Sequence, residues 1–131
     1  MKIKPTICRV AVVLTAAMMA LTVSAQKVKT GIEVLKANNF KQLEGKRVGL
    51  VTNPTGVDNF LKSDVDILHE AANVKLVALF GPEHGVRGNV HAGDHVGNAA
   101  DPTTGVPVYS LYGKSRIPSK EMLQGIDVLV Y

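Results

Sequence analysis

An acid, an imidazole and a cation lie within a few positions of one another in a glycine-rich part of the sequence. The stretch Gly81–Gly88 follows an apolar run typical of a buried strand, and it contains Glu83, His84 and Arg87. Open α/β sheets place their active sites in loops at the carboxyl ends of such strands. Because Pro82 fixes one φ angle, the glycines allow a tight turn and large apolar residues precede the loop, we expect the Glu83 carboxyl to be held in place and partly desolvated. That setting favours its proton-donating form, so Glu83 is the candidate general acid.

Three further polar residues have two interpretations each. The forked guanidinium of Arg87 suits a substrate carboxylate, but the same residue in a loop also forms salt bridges. Asn53 and Thr55 follow an earlier predicted strand in the turn Asn53–Gly56. Their amide and hydroxyl groups can bind sugar hydroxyls or a substrate carbonyl, or they can simply build the turn. Both interpretations stay open for each residue.

Metal and cofactor motifs are weak or missing. The segment around His84, His91, Asp94 and His95 has the side-chain types that bind zinc, but its spacing matches no closed motif such as His-Glu-x-x-His. Loop histidines more often only form hydrogen bonds. The glycine spacing of a dinucleotide site is absent after the first predicted strand, as are the phosphate-loop and serine-elbow motifs. The sequence therefore predicts no cofactor and no metal, with His91, Asp94 and His95 as the weak candidates.

The first 25 residues have the pattern of a secretory signal peptide. A basic start is followed by the apolar run Val10–Val23 and a small-residue cleavage site ending at Ala25. The run is short for a membrane span, so we expect an exported protein, periplasmic or secreted, with no stable membrane anchor after cleavage. The only cysteine, Cys8, lies in this segment. Most of the +4 net charge lies there too, so the remainder gives no reason to expect a nucleic-acid partner.

The remaining residues alternate between helical and strand patterns. Thr30 and Glu33 have the spacing of a capping box, and Ser63 is a second helix cap with Asp66 three residues later. The strands are continuous apolar runs, which are typical of parallel sheets covered on both faces. The predicted helices are 30–38, one that opens at Ser63 with Val65, Leu68 and Ala72 on one face, and 118–124. The predicted strands are 46–52, 74–80, 106–110 and 126–131.

This order predicts an α/β fold with a Rossmann-like parallel sheet and flanking helices, incomplete at the C-terminus. In a parallel sheet the loops after the first three strands, Asn53–Gly56, Gly81–Gly88 and Leu111–Gly113, emerge at one edge. Because Tyr131 ends a strand, we expect residues 26–131 to be the N-terminal part of a catalytic domain, with a C-terminal domain of the same protein missing.

Four segments together resemble one family, the exo-β-N-acetylmuramidases of the NamZ type. They match it in order and spacing, and they are Gly49–Gly56, Leu79–Gly88, Pro107–Gly113 and Gly125–Val130. The resemblance implies an exported enzyme of cell-wall recycling that releases N-acetylmuramic acid from the non-reducing end of peptidoglycan-derived muramyl saccharides. It also implies that Glu83 is the catalytic acid, that His84 orients it, and that Asn53, Thr55, Arg87 and Tyr112 bind substrate.

Other functions stay open at this point. Glycosidases usually need a second carboxylate, and the nearby acids Asp94 and Asp101 lie in no assignable motif. We therefore expect this chain alone to be inactive. A non-catalytic module that binds muramyl glycans through Asn53 and Arg87 is one alternative, and a metal-dependent hydrolase is another.

Overall fold

The computed structural model describes residues 28–89, 91, 99–113 and 115–131. The predicted signal peptide therefore lies outside the described residues, and neither described α-helix is long and apolar enough to cross a membrane. The elements are α1 (Gly31–Ala37), a 3-10 helix (Lys41–Leu43), β1 (Arg47–Val51), α2 (Asp64–Glu70), β2 (Lys75–Gly81), β3 (Ala99–Ala100), β4 (Pro107–Ser110) and β5 (Val128–Val130).

Both predicted helix starts are confirmed. At α1, the Glu33 carboxylate accepts hydrogen bonds from the Thr30 N–H at 2.8 Å and from the Thr30 hydroxyl at 3.2 Å. At α2, the Ser63 hydroxyl oxygen accepts from the Val65 N–H at 3.2 Å. These side chains satisfy N–H groups that a helix start leaves without a backbone partner. Helix α2 is shorter than predicted, so Ala72 lies beyond its end and is exposed.

The sheet has five strands in the order β3-β4-β2-β1-β5. Strands β1, β2, β4 and β5 are mutually parallel, which confirms the α/β, Rossmann-like prediction. Strand β3 pairs antiparallel with β4 at one edge and was not predicted. It has only two residues, too few for a hydrophobic pattern to show.

The predicted helix 118–124 is wrong. The chain forms a run of turns there, in which the N–H of Leu123 bonds the carbonyl of Ser119 at 3.1 Å while the N–H of Gln124 bonds the carbonyl of Glu121 at 3.2 Å. Gly125 ends the run at a φ of +80°. Helices α1 and α2 are equally short but pack apolar residues into the core, whereas no residue of 118–124 is buried to stabilise a helix.

One face of the sheet packs against both α-helices. Leu50, Leu79 and Val108 are aligned across neighbouring strands and lie in this core. The helices contribute Ile32, Val65, Ile67 and Leu68, and the other buried members are Phe40, Leu43, Val48, Val74, Val86 and Val106.

The opposite face depends on a glycine in β1. A Cβ at Gly49 would lie 2.9 Å from both Ile126 Cδ1 and Leu129 Cδ2, and 3.1 Å from Phe80 Cε2. The Phe80 ring stacks in turn on Tyr109, with a centroid distance of 5.5 Å. The absent side chain at Gly49 therefore lets these groups close over the sheet.

An exposed ion pair fixes the start of β5 beside the start of β1. The Asp127 carboxylate accepts from Arg47 Nη2 at 2.8 Å, from Nε at 3.1 Å and from the backbone N–H at 2.8 Å. The Asp127 N–H returns a bond to the Arg47 carbonyl at 2.8 Å. These contacts lower the pKa of Asp127 well below its usual range.

We predict that Gly49→Ala destabilises the protein by about 1–3 kcal/mol, because the new methyl group overpacks a site that has no room for it. The matched control is Gly31→Ala, where a Cβ meets nothing within 4 Å at the start of α1. Urea denaturation measures both variants. Equal unfolding free energies for Gly49→Ala and wild type would show that the close packing around Gly49 is not needed.

Candidate active site

The parallel strands bring the loops that follow them to one edge of the sheet. After β1 the chain adds β2 and β4 on one side of it and then adds β5 on the other side. The order of connection therefore reverses between β1 and β5. Open α/β sheets bind ligands outside the carboxyl ends of the strands at such a point. A cavity of about 760 Å³ lies there, and its lining includes Thr52, Asn53, Thr55, Asp64, Pro82 and Tyr131.

The turn after β1 uses the polar side chains that the sequence singled out. The Asn53 side-chain oxygen accepts from the Thr55 N–H at 2.9 Å and from the Thr55 hydroxyl at 2.7 Å. The Gly56 N–H bonds the Asn53 carbonyl at 3.0 Å. Asn53 and Thr55 therefore build the turn, and both also stay exposed along the cavity. Their role in substrate binding stays a prediction.

The loop after β2 turns sharply at Glu83 and His84. The Gly85 N–H bonds the Pro82 carbonyl at 3.0 Å, and His84 and Gly85 have φ values of 70° and 71°. A histidine in the left-handed region is uncommon, and such backbone strain is concentrated at functional sites. Glu83 and His84 are exposed on this turn. The described residues therefore leave Glu83 exposed, and the partial desolvation predicted from the sequence is not observed there.

Tyr112 lies against Glu83. The pKa of Tyr112 is raised, chiefly by a side-chain hydrogen bond with Glu83 and further by the negative charge of that carboxylate. The Leu111 N–H bonds the Gly81 carbonyl at 2.8 Å, so the loop after β4 is also joined to the loop after β2 through the backbone. The structure thus brings together two of the residues predicted for the site.

Arg87 is held by two carboxylates. Its guanidinium donates to Asp101 through Nε at 2.6 Å and Nη2 at 2.9 Å. It also donates to Asp66 through Nη2 at 2.7 Å and Nη1 at 3.2 Å. The Arg87 side chain is 22% exposed, and that of Asp101 is 1% exposed. Of the two open interpretations, the structure shows the salt bridge, because four hydrogen bonds to protein leave this guanidinium little capacity for a substrate carboxylate.

The same contacts account for Asp101, one of the two nearby acids that lie in no assignable motif. The Arg87 guanidinium, with the hydroxyl and N–H of Thr104, lowers the pKa of Asp101 to about 2. The two carboxylates raise the pKa of Arg87. Asp101 is thus a buried, fully bonded anion that is not placed to exchange protons with a ligand. Asp66, predicted only as part of a helix start, is the other half of this cluster.

A close backbone contact joins the first two loops. A Cβ at Gly88 would approach Pro54 Cγ to 2.7 Å, and Gly88 has a φ of +73°. The loop that carries Glu83 therefore rests on the turn that carries Asn53. Pro82, the residue before Glu83, lines the cavity, whereas Glu83 itself does not.

Asp64 is a cavity residue that the sequence reasoning missed. It was interpreted only as the opening of α2, but it lines the cavity. Its Oδ1 atom is buried and has no hydrogen-bond partner among the described residues. Burial, with a smaller contribution from Asp58, raises the pKa of Asp64. An acidic residue after a helix cap is ordinary, so no pattern in the sequence distinguishes it.

The weak metal candidates gain no support from the described residues. Within them, no group of three His, Cys, Asp or Glu side chains could hold a metal ion. His91 is exposed, and Asp94 and His95 lie outside the described residues. Their proposed role stays a prediction.

Comparisons with known proteins add independent information. The family model described as exo-beta-N-acetylmuramidase NamZ, N-terminal, matches residues 48–131. A curated protein of Bacillus subtilis (strain 168), named peptidoglycan beta-N-acetylmuramidase NamZ, is 58% identical over 110 residues. That match covers 84% of this chain and 27% of the relative.

Two crystal structures of DUF1343 family proteins from Bacteroides fragilis NCTC 9343 have the same fold. One is 72% identical with a TM-score of 0.71, and the other is 38% identical with a TM-score of 0.60. Each match covers 79% of this chain and 25% of the solved chain. The chain therefore spans about a quarter of the length of the relatives it matches.

We predict that Arg87→Gln destabilises the protein by about 3–5 kcal/mol, because it leaves the buried Asp101 carboxylate without its cation. The matched control is Arg47→Gln, which removes an arginine with similar bidentate geometry from an exposed pair and should change stability far less. Urea denaturation of both variants at pH 7 is the measurement. Equal losses would contradict a special role for the Arg87 cluster.

We also predict a specific loss of stability in acid. The pKa of Asp101 is about 2 in the folded chain and 3.8 without the cluster, so the unfolded state binds the proton first as pH falls. The stabilisation is fully present above pH 5 and decreases by about 2 kcal/mol on reaching pH 2. Asp101→Asn lacks this titrating group. Over the same pH range its unfolding free energy should therefore decrease by about 2 kcal/mol less than that of the wild type. If the unfolding free energies of the wild type and the variant change equally with pH, Asp101 is not the group responsible for the loss of stability in acid.

Proposed function

Because this chain belongs to the NamZ family of exo-β-N-acetylmuramidases, we propose that it carries the acid-bearing part of a peptidoglycan glycosidase. The bond cleaved is the one that links a non-reducing-end N-acetylmuramic acid to the rest of a cell-wall fragment. The observation that supports this most directly is the interaction of Glu83 with Tyr112 on the loop that follows the cavity residue Pro82. Its role is that of general acid.

The hydrolysis needs one proton at the leaving oxygen. Protonated Glu83 donates it as the bond between the anomeric carbon and the glycosidic oxygen breaks. Water then supplies a hydroxyl group to the anomeric carbon, and its remaining proton restores Glu83. The Tyr112 hydroxyl bonds the Glu83 carboxylate, so it stabilises the anion that exists between these two steps. Tyr112 thus acts on Glu83 rather than binding substrate alone.

Substrate contacts are assigned to the loops around the cavity. Asn53 and Thr55 offer an amide and a hydroxyl at the end of β1, where sugar hydroxyls can be bound. His84, on the strained turn beside Glu83, orients the acid. Arg87 positions the loop rather than contacting substrate, because its guanidinium holds the loop to Asp66 and Asp101.

Export is part of the proposal. The pattern of the first 25 residues, a basic start, an apolar run and a small-residue site, directs a protein out of the cytoplasm. A periplasmic or secreted enzyme meets muramyl fragments released during wall turnover, which fits a role in recycling them.

We predict that Glu83→Gln lowers the release of chromophore from a chromogenic β-N-acetylmuramide by about 100-fold or more, because the glutamine has no proton to donate. The assay uses the longest natural polypeptide that contains this chain. Binding of N-acetylmuramic acid, measured by calorimetry, should persist in the variant. Tyr112→Phe should reduce kcat by a smaller factor, since it removes only the hydrogen bond to the acid.

The matched control is Glu44→Gln, an exposed glutamate after the 3-10 helix that does not line the cavity. It should retain wild-type turnover. Full activity in Glu83→Gln would exclude Glu83 as the acid. Binding of muramyl ligands without turnover in the wild type would instead favour a binding module, and turnover that a chelator abolishes would favour a metal-dependent hydrolase.

A further inference from the structure

The carboxyl group of Asp64 is held in the cavity wall without enough hydrogen-bond donors. Its backbone is fixed, because the Asp64 N–H bonds the Gly56 carbonyl at 2.9 Å and Val57 forms a β-bridge with Ser63. Its Oδ1 atom is buried and lacks a partner in the part of the chain that the structure describes. A buried acceptor left in this state costs about 1–3 kcal/mol, and more when charged.

Because buried polar groups in proteins are nearly always paired, this cost indicates that the Asp64 carboxyl group pairs with a bound ligand. Asp64 is only partly buried and lines the cavity, so its carboxyl group can meet a ligand there. A ligand N–H or O–H would there gain a charge-assisted hydrogen bond.

The surroundings of Oδ2 are shaped by a glycine. A Cβ at Gly56 would clash with Thr52 Oγ1 and would lie 3.2 Å from Asp64 Oδ2. The absence of that side chain leaves these two polar atoms close together. The rest of this wall is largely apolar and includes Leu50, Val57, Leu68 and Val130. The wall therefore offers one strong acceptor surrounded by methyl-bearing side chains.

An acetamido group has the complementary chemistry, since it combines one N–H donor with a methyl group. We propose that Asp64 binds the acetamido group of an N-acetylated sugar, with the carboxylate accepting from its N–H and the methyl group packing on the apolar wall. The assignment rests on the proposed function, and it makes Asp64 a substrate-binding residue that selects for the acetylated amine.

The test compares two ligands that differ in one atom. N-acetylmuramic acid is titrated by calorimetry against the analogue in which an ester oxygen replaces the amide N–H. The protein is the longest natural polypeptide that contains this chain, as wild type and as Asp64→Ala. The wild type should bind the amide at least about 10-fold more tightly, as expected for one hydrogen bond to a charged group. In Asp64→Ala the two ligands should bind equally.

Two controls keep the outcome clear. Glu70→Ala, at the exposed end of α2, should retain the wild-type preference for the amide. Asp64→Ala should unfold no more than a few degrees below the wild type, because Oδ1 of the lost carboxyl group has no partner among the described residues. If the variant does not fold, Asp64→Asn replaces it. That variant should retain only part of the preference for the amide.

The outcomes separate the two proposals. Turnover of a muramide with no preference between the ligands, or a preference unchanged in the Asp64 variants, overturns the assignment of Asp64 while the glycosidase proposal stands. Failure of the wild type to bind or cleave any muramyl ligand overturns both.

Discussion

The four hydrogen bonds between Arg87 and two carboxylates hold the candidate site together. Arg87 lies in the loop after β2, Asp66 lies on α2, and Asp101 lies between β3 and β4. One guanidinium thus joins the loop after β2, helix α2 and the turn between β3 and β4. The Asp101 carboxylate is almost completely buried, so this ion pair is little screened by water. The loop that carries Glu83 is anchored at its far end by this cluster.

Small residues allow the loops to approach one another around the cavity. Gly88 brings the loop after β2 against Pro54, and Gly56 leaves Thr52 and Asp64 side by side. A Cβ at either glycine would push these parts of the cavity wall apart. The site is therefore built from close backbone packing at the reversal point of a parallel sheet, and the polar side chains occupy positions that this packing provides.

Much of the fold could be predicted because its signals are local. The Thr30 and Glu33 capping box and the Ser63 cap are contacts between residues at most three positions apart. The long apolar runs of β1 and β2 identify buried parallel strands. The helix predicted at 118–124 failed because none of its residues is buried, whereas α1 and α2, which are equally short, each pack apolar residues into the core.

Short-range patterns and the geometry of parallel sheets are enough to predict the fold class, the edge at which the loops meet and Glu83 as the candidate acid. The partners of Arg87, which lie 14 and 21 positions away, and the position of Asp64 in the cavity wall become visible only in the folded chain. The physical reason is that an ionised side chain selects partners by distance and burial, and neither quantity exists until the chain has folded.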